Sequence, residues 1–501
     1  MQIKNIFLDG KEINLTPDIS FDNGNVFTIL VGRNGVGKSR ILKAICHVHL
    51  YSLTNDHSFM MRRTLDSEWL GGDKKNKSDN CCVNYSSNGY DFGLSVKKNN
   101  EQWHGHVSLE KIPDEKMGFL TMGKIIAVSS SPFDKFPILS RFDCDDFNIF
   151  KKYCYRGAKV KSNSTGNYLK TKFDQLGASL INFFLVNDKS KSKVLILLNQ
   201  LGFDKDINIS FSFPFPLDPH RLLTEIDKSI SEEIKSVLFF KGLPEVSDSI
   251  TDDVKSSILH ALRVVIDCFD LKKYSRDSFS ISASFFNGNA ETKVGVDILD
   301  ALSLLAFHNI IELTNIEFFK YGRGFYLTDA SSGELSIIFN LLSIAGEIEN
   351  DAIILIDEPE ISLHPEWQNN FIPMLNEMFR DYNGCHFLIA THSPQILSSA
   401  IEDRSFVVKL DSSLEIVNAN DLINKSSDYQ LAHVFNEPGS RNEYLTRVAL
   451  NVINNYRKNK KLSESDLGVI QLLLDNSKHM DEKDPLYKVI LSIASIGRDD
   501  A

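Results

Sequence analysis

Asp357 and Glu358 stand side by side at the end of the apolar run Ile353-Ile354-Leu355-Ile356. Two carboxylates at the end of a buried strand are costly unless a cation needs them. The other half of the chemistry lies far upstream, where Gly32-Arg33-Asn34-Gly35-Val36-Gly37-Lys38-Ser39 has the form G-x-x-x-x-G-K-S. In that form backbone N–H groups close around phosphate oxygens, the lysine reaches the β- and γ-phosphates, and the serine hydroxyl ligates Mg²⁺. Arg33, Asn34, Gly35, Val36, Gly37, Lys38, Ser39 and Arg40 are therefore candidate nucleotide contacts. Ser39 and Asp357 are the candidate Mg²⁺ ligands, and Glu358 is the candidate general base for an attacking water. ATP and Mg²⁺ are the cofactors this set implies.

Two weaker elements fall in an order that fits the same site. Ala330-Ser331-Ser332-Gly333-Glu334 opens a helix with Leu335, Ile338, Leu341, Leu342 and Ala345 on one side. Ser331 or Ser332 can cap it and leave N–H groups facing an anion, so Ser331, Ser332, Gly333 and Glu334 join the candidate nucleotide contacts. His392 ends the apolar strand Phe387-Leu388-Ile389-Ala390, where an imidazole could sense the γ-phosphate. Phe133 and Asp134, after the strand Ile125-Ile126-Ala127-Val128, are further nucleotide-proximal candidates, with a plain strand-to-helix turn as the other reading.

These residues need an α/β scaffold to converge. Val26–Val31 reads as a buried strand feeding the glycine loop, with helix positions at Ile41, Leu42 and Ile45. A strand at 352–356, a helix near 366–379, a strand at 386–390 and a helix from Pro394 alternate as α/β units. Residues 1–50 and 120–145 then form the first part of a head, and 321–420 its second part. Residues 51–119 read as an irregular insertion, and 146–320 as a mainly helical insertion or lid, with Val254, Ile258, Leu262, Val265 and Ile266 on one helical face. Residues 421–501 read as a helical, partner-binding extension. Ser463 and Asp466 look like a helix cap there, and Arg457, Lys458, Lys460 and Lys461 like a helix C-terminus.

A chain of 501 residues with 42% hydrophobic and 24% charged residues suits a multi-lobed globular protein. A net charge of −11 excludes a wholly basic nucleic-acid binder. A local stretch, Lys151, Lys152, Arg156, Lys159, Lys161, Lys170 and Lys172 with Tyr153, Tyr155 and Tyr168, could still grip a single strand by phosphate contact and stacking, or be a solvated loop. Seven scattered cysteines fit a reduced compartment. The start of the chain lacks signal-peptide architecture and no apolar run is long enough to span a membrane, so a cytoplasmic protein without membrane contact is expected. His47-Val48-His49 and His104-Gly105-His106 have too few partners for a metal site.

The four elements together resemble the ABC-class ATPase superfamily, in its soluble AAA_21 and OLD-like branch. Gly32–Ser39 resembles the Walker A loop, Ala330–Glu334 a degenerate signature motif, Ile353–Glu358 the Walker B strand, and His392 the switch histidine. The Glu360-to-Pro365 segment, with Leu363-His364-Pro365, is similar to the dimer-contact loop of that branch. Ser331-Ser332-Gly333-Glu334 stands where the usual motif has Ser-Gly-Gly-Gln. Less specifically, the chain resembles the PtuA-type ATPases of Septu anti-phage systems, including retron-linked versions.

The resemblance implies an ABC-type P-loop head with a mixed sheet, a homodimer or larger oligomer sandwiching ATP, and an ATPase that regulates a separate HNH nuclease (PtuB-like). In retron-linked versions it also implies a reverse transcriptase with its RNA–DNA product, a nucleic-acid ligand that the basic stretch would suit. The alternatives are a DNA-repair or chromosome-maintenance ATPase of the same superfamily, a self-contained OLD-like nuclease, and a transporter subunit.

Overall fold

The computed structural model describes residues 1–17, 24–53, 80–87, 90–99, 102–108, 123–138, 152–157, 159, 176–177, 179–184, 191–213, 218–228, 252–271, 278–286, 289–307, 310–402, 404–411 and 414–499. In chain order the elements are β1 (Gln2–Leu8), β2 (Lys11–Asn14), β3 (Val26–Val31), α1 (Lys38–Leu53), β4 (Asn80–Ser87), β5 (Tyr90–Asn99), β6 (Gln102–Ser108), β7 (Ile125–Ser129) and β8 (Tyr153–Arg156). Then come α2 (Lys191–Gln200), β9 (Asp206–Ser212), α3 (Pro219–Lys228), α4 (Asp252–Phe269), β10 (Phe279–Phe286), β11 (Asn289–Thr292), α5 (Val296–Phe307), β12 (Glu312–Lys320) and β13 (Arg323–Tyr326). The last are α6 (Ser332–Ala345), β14 (Ile353–Asp357), α7 (Pro365–Phe379), β15 (His386–Ala390), α8 (Pro394–Ser398), β16 (Ser405–Lys409), β17 (Glu415–Asn418), α9 (Ser427–His433), α10 (Glu443–Asn459), α11 (Glu464–Ser477) and α12 (Pro485–Asp499).

A seven-stranded sheet of order β17-β16-β3-β15-β14-β7-β8 carries the site. Its strands run parallel except for β17, so the sheet is mixed. Both faces are covered, which explains why the strands read as continuous apolar runs. Side chains still alternate. Ile354, Ile356, Phe387 and Ile389 enter a core shared with α6 and α7, whereas Ile353, Leu355 and Leu388 enter a second core against α1. Phe27 and Phe387 stack at 4.7 Å within the first core.

The irregular insertion expected over 51–119 is corrected where the chain is described. Strands β4, β5 and β6 join β1 and β2 in a five-stranded antiparallel sheet, in which β4 pairs with β1. Cys81, Val83 and Tyr85 alternate inward, and their polar neighbours face out. The mainly helical reading of 146–320 is corrected too. Helices α2 to α5 share that span with a second antiparallel sheet of order β11-β10-β9-β12-β13, and β8 is an edge strand of the head. Ile207, Ile209 and Phe211 alternate into its core. Tyr153 and Tyr155 are buried and Arg156 is ion-paired with buried Glu347, so these three residues of the basic stretch build the head. Lys151, Lys161, Tyr168, Lys170 and Lys172 lie outside the described residues.

The C-terminal helices α10, α11 and α12 close over their own core, including Leu445, Ala449, Val452, Ile470, Leu473 and Ile490. Ser463 caps α11 in a box with Asp466, and Arg457 and Lys458 lie in the last turn of α10, as the sequence indicates. No helix among the described residues is long and apolar enough to cross a membrane.

His386 fastens β1 to the head sheet. Its Nδ1 accepts the Ile3 N–H at 3.0 Å, which leaves the proton on Nε2, 2.9 Å from Thr28 Oγ1. The Thr28 hydroxyl passes its own hydrogen to the Leu15 carbonyl. Burial pushes this imidazole from an ordinary 6.5 down to about 3. The unfolded chain therefore binds a proton that the fold refuses. The resulting stability is complete above pH 6.5 and declines as pH falls toward 3. Urea titrations between pH 7 and pH 5 should show a loss of about 1–2 kcal/mol from this group, and His386→Gln should flatten the dependence. An equally steep dependence in the variant would contradict the assignment.

Candidate functional site

Every strand of the parallel set ends on one edge, and the candidate residues gather there. Gly32 follows β3, Asp357 ends β14, His392 follows β15, and Ser129 of β7 lies in register with Asp357. Strand β15 sits between β3 and β14, so α1 must reach across it to meet the acid. It does: the Ser39 hydroxyl donates to Asp357 Oδ1 at 3.0 Å.

The loop backbone is shaped for an anion. Gly35 and Gly37 take φ of +81° and +111°, and a Cβ on either would meet nothing within 4 Å, so this part of the loop borders open space. Lys38 is nearly buried. Its Nζ donates to the Gly32 carbonyl at 2.6 Å and the Arg33 carbonyl at 3.2 Å, and lies 3.3 Å from His392 Nδ1. Burial lowers its pKa to about 8, while nearby Glu360, Asp411, Glu358 and Asp357 oppose that shift. The ammonium can only donate, so His392 Nδ1 accepts and a neutral imidazole carries its proton on Nε2. Burial first, then Lys38, lowers His392 to about 4, so it is neutral at pH 7.

The donor set fits Mg²⁺. A hydroxyl beside a carboxylate offers hard oxygen ligands. Asp357 is 2% exposed, and burial lifts its pKa from 3.8 to about 7, with Glu358, Asp134 and Glu360 adding to the lift and the Ser39 hydrogen bond opposing it. Ser39 and Asp357 would hold the ion, directly or through water.

Glu358 differs from its neighbour in two respects. Its φ is +50°, a conformation that costs a non-glycine residue on the order of 1–3 kcal/mol and recurs where function demands it. Its carboxylate has no hydrogen-bond or ion-pair partner among the described residues, which leaves both oxygens available to a water.

Glu360 is a residue that sequence reasoning placed only in a contact loop. Its Oε1 accepts the His392 N–H at 2.6 Å and its Oε2 accepts the Thr391 hydroxyl at 2.9 Å. Ser393 extends the brace, donating to Gln368 Oε1 at 2.6 Å. Burial raises the Glu360 pKa, and the hydrogen bonds of His392 and Thr391 act against it. The local signal was a third acid two residues beyond the pair, but its role depends on where β15 ends.

Other candidates take different places. The Arg40 guanidinium ion-pairs with Asp9 at 2.7 Å, which ties α1 to the β1–β2 turn. The Arg33 guanidinium donates to the Asn436 carbonyl. Asn34 is exposed and Val36 half-buried against the α1 core. Ser331 is the N-cap of α6, and Glu334 completes a capping box, with Oε2 accepting from Ser331 N at 3.0 Å and from Ser331 Oγ at 2.7 Å. Its carboxylate is thus committed to the helix start, which accounts locally for glutamate in that position. Ser331 and Ser332 are exposed, and none of Ser331, Ser332, Gly333 and Glu334 hydrogen-bonds the glycine loop of its own chain. Phe133 is 83% exposed, whereas Asp134 is buried and accepts from Tyr155 and the Phe136 N–H, a structural turn. His47 and His49 are buried in α1.

If Glu360 braces the His392 segment, Glu360→Ala should lower kcat for nucleotide hydrolysis by about 10- to 100-fold while leaving nucleotide affinity within about threefold. Parallel turnover and binding titrations check this, and an unchanged kcat would refute the brace.

A family model, AAA_21, described as "AAA domain, putative AbiEii toxin, Type IV TA system", matches residues 27–398. The chain is 24% identical over 395 residues to "Retron Ec83 probable ATPase" of Escherichia coli, across 76% of this chain and 67% of that protein. It is 22% identical over 394 residues to "Retron Vc95 probable ATPase" of Vibrio cholerae serotype O1 biovar El Tor, across 76% and 68%. Among solved structures it aligns with "SMC head domain from Thermotoga maritima" at 12% identity and a TM-score of 0.31, over 84% of this chain and 97% of that one.

Proposed function

This chain belongs to the AAA_21 family of ABC-class ATPases, and from that premise we propose that it hydrolyses ATP as the sensor-regulator subunit of an anti-phage defence assembly. The observation that carries the reading is the contact of Ser39 with Asp357, which joins the phosphate loop to the acidic strand. The retron ATPases among its relatives support the defence context.

In this reading the N–H groups of Gly35 to Ser39 cradle the phosphates. The Lys38 ammonium leaves its two carbonyl partners to pair with the β- and γ-phosphate oxygens. Glu358 accepts a proton from water as the water oxygen bonds to the γ-phosphorus. The bond from that phosphorus to the β–γ bridging oxygen breaks, and ADP departs with the electron pair. His392 Nε2–H donates toward the γ-phosphate, held in place by Glu360. Bound Mg²⁺ would supply neutralising charge on the β- and γ-phosphate oxygens.

The start of α6 is exposed and unlinked to its own glycine loop, which supports a second copy presenting Ser331, Ser332 and Gly333 to the nucleotide across a dimer. A homodimer or larger oligomer then sandwiches ATP. The regulated partner is a separately encoded HNH-type nuclease, as in the PtuA-type systems that the sequence resembles. In a retron setting a reverse transcriptase with its RNA–DNA product joins the assembly.

Lys38→Ala should abolish ATP binding, and Glu358→Gln should retain it while reducing turnover by at least about a hundredfold. Equilibrium binding and phosphate-release assays measure both. Normal hydrolysis by Glu358→Gln would overturn the choice of base. Co-purification with the products of adjacent genes should recover a nuclease; recovery of the chain alone would count against the regulatory role.

A further inference from the structure

Arg33 is held by four hydrogen bonds. Its N–H donates to Asp411 Oδ1 at 3.1 Å, its carbonyl accepts from Lys38 Nζ at 3.2 Å and from the Val36 N–H at 3.3 Å, and its guanidinium donates to the Asn436 carbonyl at 3.1 Å. The last of these is the one hydrogen bond among the described residues that joins the glycine loop to the C-terminal helices. Arg33 Nε and Asp411 Oδ2 are both buried without a hydrogen-bond partner. Leaving such groups unsatisfied is expensive, so this junction is not optimised for stability alone.

Asn436 lies between α9 and α10 with φ of +51°. The same linker is fastened to the bundle at its other end, where the Arg441 N–H donates to Asp484 Oδ2 at 2.6 Å and Asp484 Oδ1 accepts the Leu486 N–H that opens α12. Lys409 Nζ, at the end of β16, donates to the His433 carbonyl at 3.1 Å. His479, in the turn between α11 and α12, is close enough to Arg33 and Asp411 to feel both charges. A continuous set of contacts thus runs from Lys38 through Arg33 to the linker and on to α12.

The three N–H donors of Lys38 are directed at the Gly32 carbonyl, the Arg33 carbonyl and His392 Nδ1, so pairing with a phosphate requires that at least one of them be released. When Lys38 turns from Arg33, that carbonyl keeps only the Val36 N–H, which removes one tie on the loop segment between Asp411 and Asn436. We propose that Arg33 is a positioning residue that transmits occupancy of the phosphate loop to the C-terminal bundle, so that residues 434–499 sit differently on the head with and without nucleotide. The inference rests on the reading of Gly32–Ser39 as the ATP site and adds the route by which that site reaches the surface offered to a partner.

Hydrogen–deuterium exchange on the full chain, with and without ATPγS and Mg²⁺, tests it. In the wild type, ligand should slow exchange over 32–39 and change exchange over 434–442 and 477–486 by about threefold or more. In Arg33→Ala, retitrated to saturation, protection over 32–39 should return while the C-terminal response is lost. If that variant fails to fold, Arg33→Lys takes its place; it keeps the charge but loses the fork, and should still show less than half the wild-type response. An unchanged C-terminal region in saturated wild type, or a full response in the variants, would overturn the proposal. Absence of protection over 32–39 at any ligand concentration would instead remove the ATP-site reading, and this inference with it.

Discussion

One hydrogen bond organises the site: Ser39 Oγ to Asp357 Oδ1, between residues 318 positions apart in the chain. It exists because β3 and β14 flank β15 in a parallel sheet, so the helix after β3 can lean across one strand to the acid. The sheet in turn depends on side chains buried on both faces, sorted by alternation into two cores. Displacing either core would move a loop at the edge. The two oxygens that suit a cation would then separate.

The acidic segment shows how local cost and function coincide. Asp357 is buried beside three other acids, Glu358 is held at positive φ, and Glu360 is half-buried with both oxygens in use. None of these arrangements favours stability on its own. Together they place three neighbouring carboxylates in three environments: one beside the Ser39 hydroxyl, one without a hydrogen-bond partner among the described residues, and one bonded to the histidine segment. The environment of each, not its chemical type, separates the roles.

The motifs of the head were legible because each is a short strand followed by a loop, a pattern local to a few residues. Val26–Val31, Ile353–Asp357 and His386–Ala390 fall close to where their apolar runs indicate. The antiparallel sheets were missed although the alternation of Cys81, Val83 and Tyr85 and of Ile207, Ile209 and Phe211 was present. Those strands are half-polar, and each needs a distant partner to be recognised. A strong helical face such as Val254 to Ile266 dominates its surroundings by comparison. Glu360, Asp411 and Asn436 were illegible for a related reason: their roles arise only where separate strand ends and linkers meet.

The central claim is that these separate segments surround one magnesium-bound triphosphate. The most direct measurement is a crystal structure with a non-hydrolysable ATP analogue and Mn²⁺, located by anomalous scattering. The account predicts a manganese peak beside Ser39 Oγ and Asp357, directly or through one water, with Lys38 turned to the phosphates. A metal peak elsewhere, or an empty cleft at saturating ligand with Lys38 still on the Gly32 carbonyl, would contradict it.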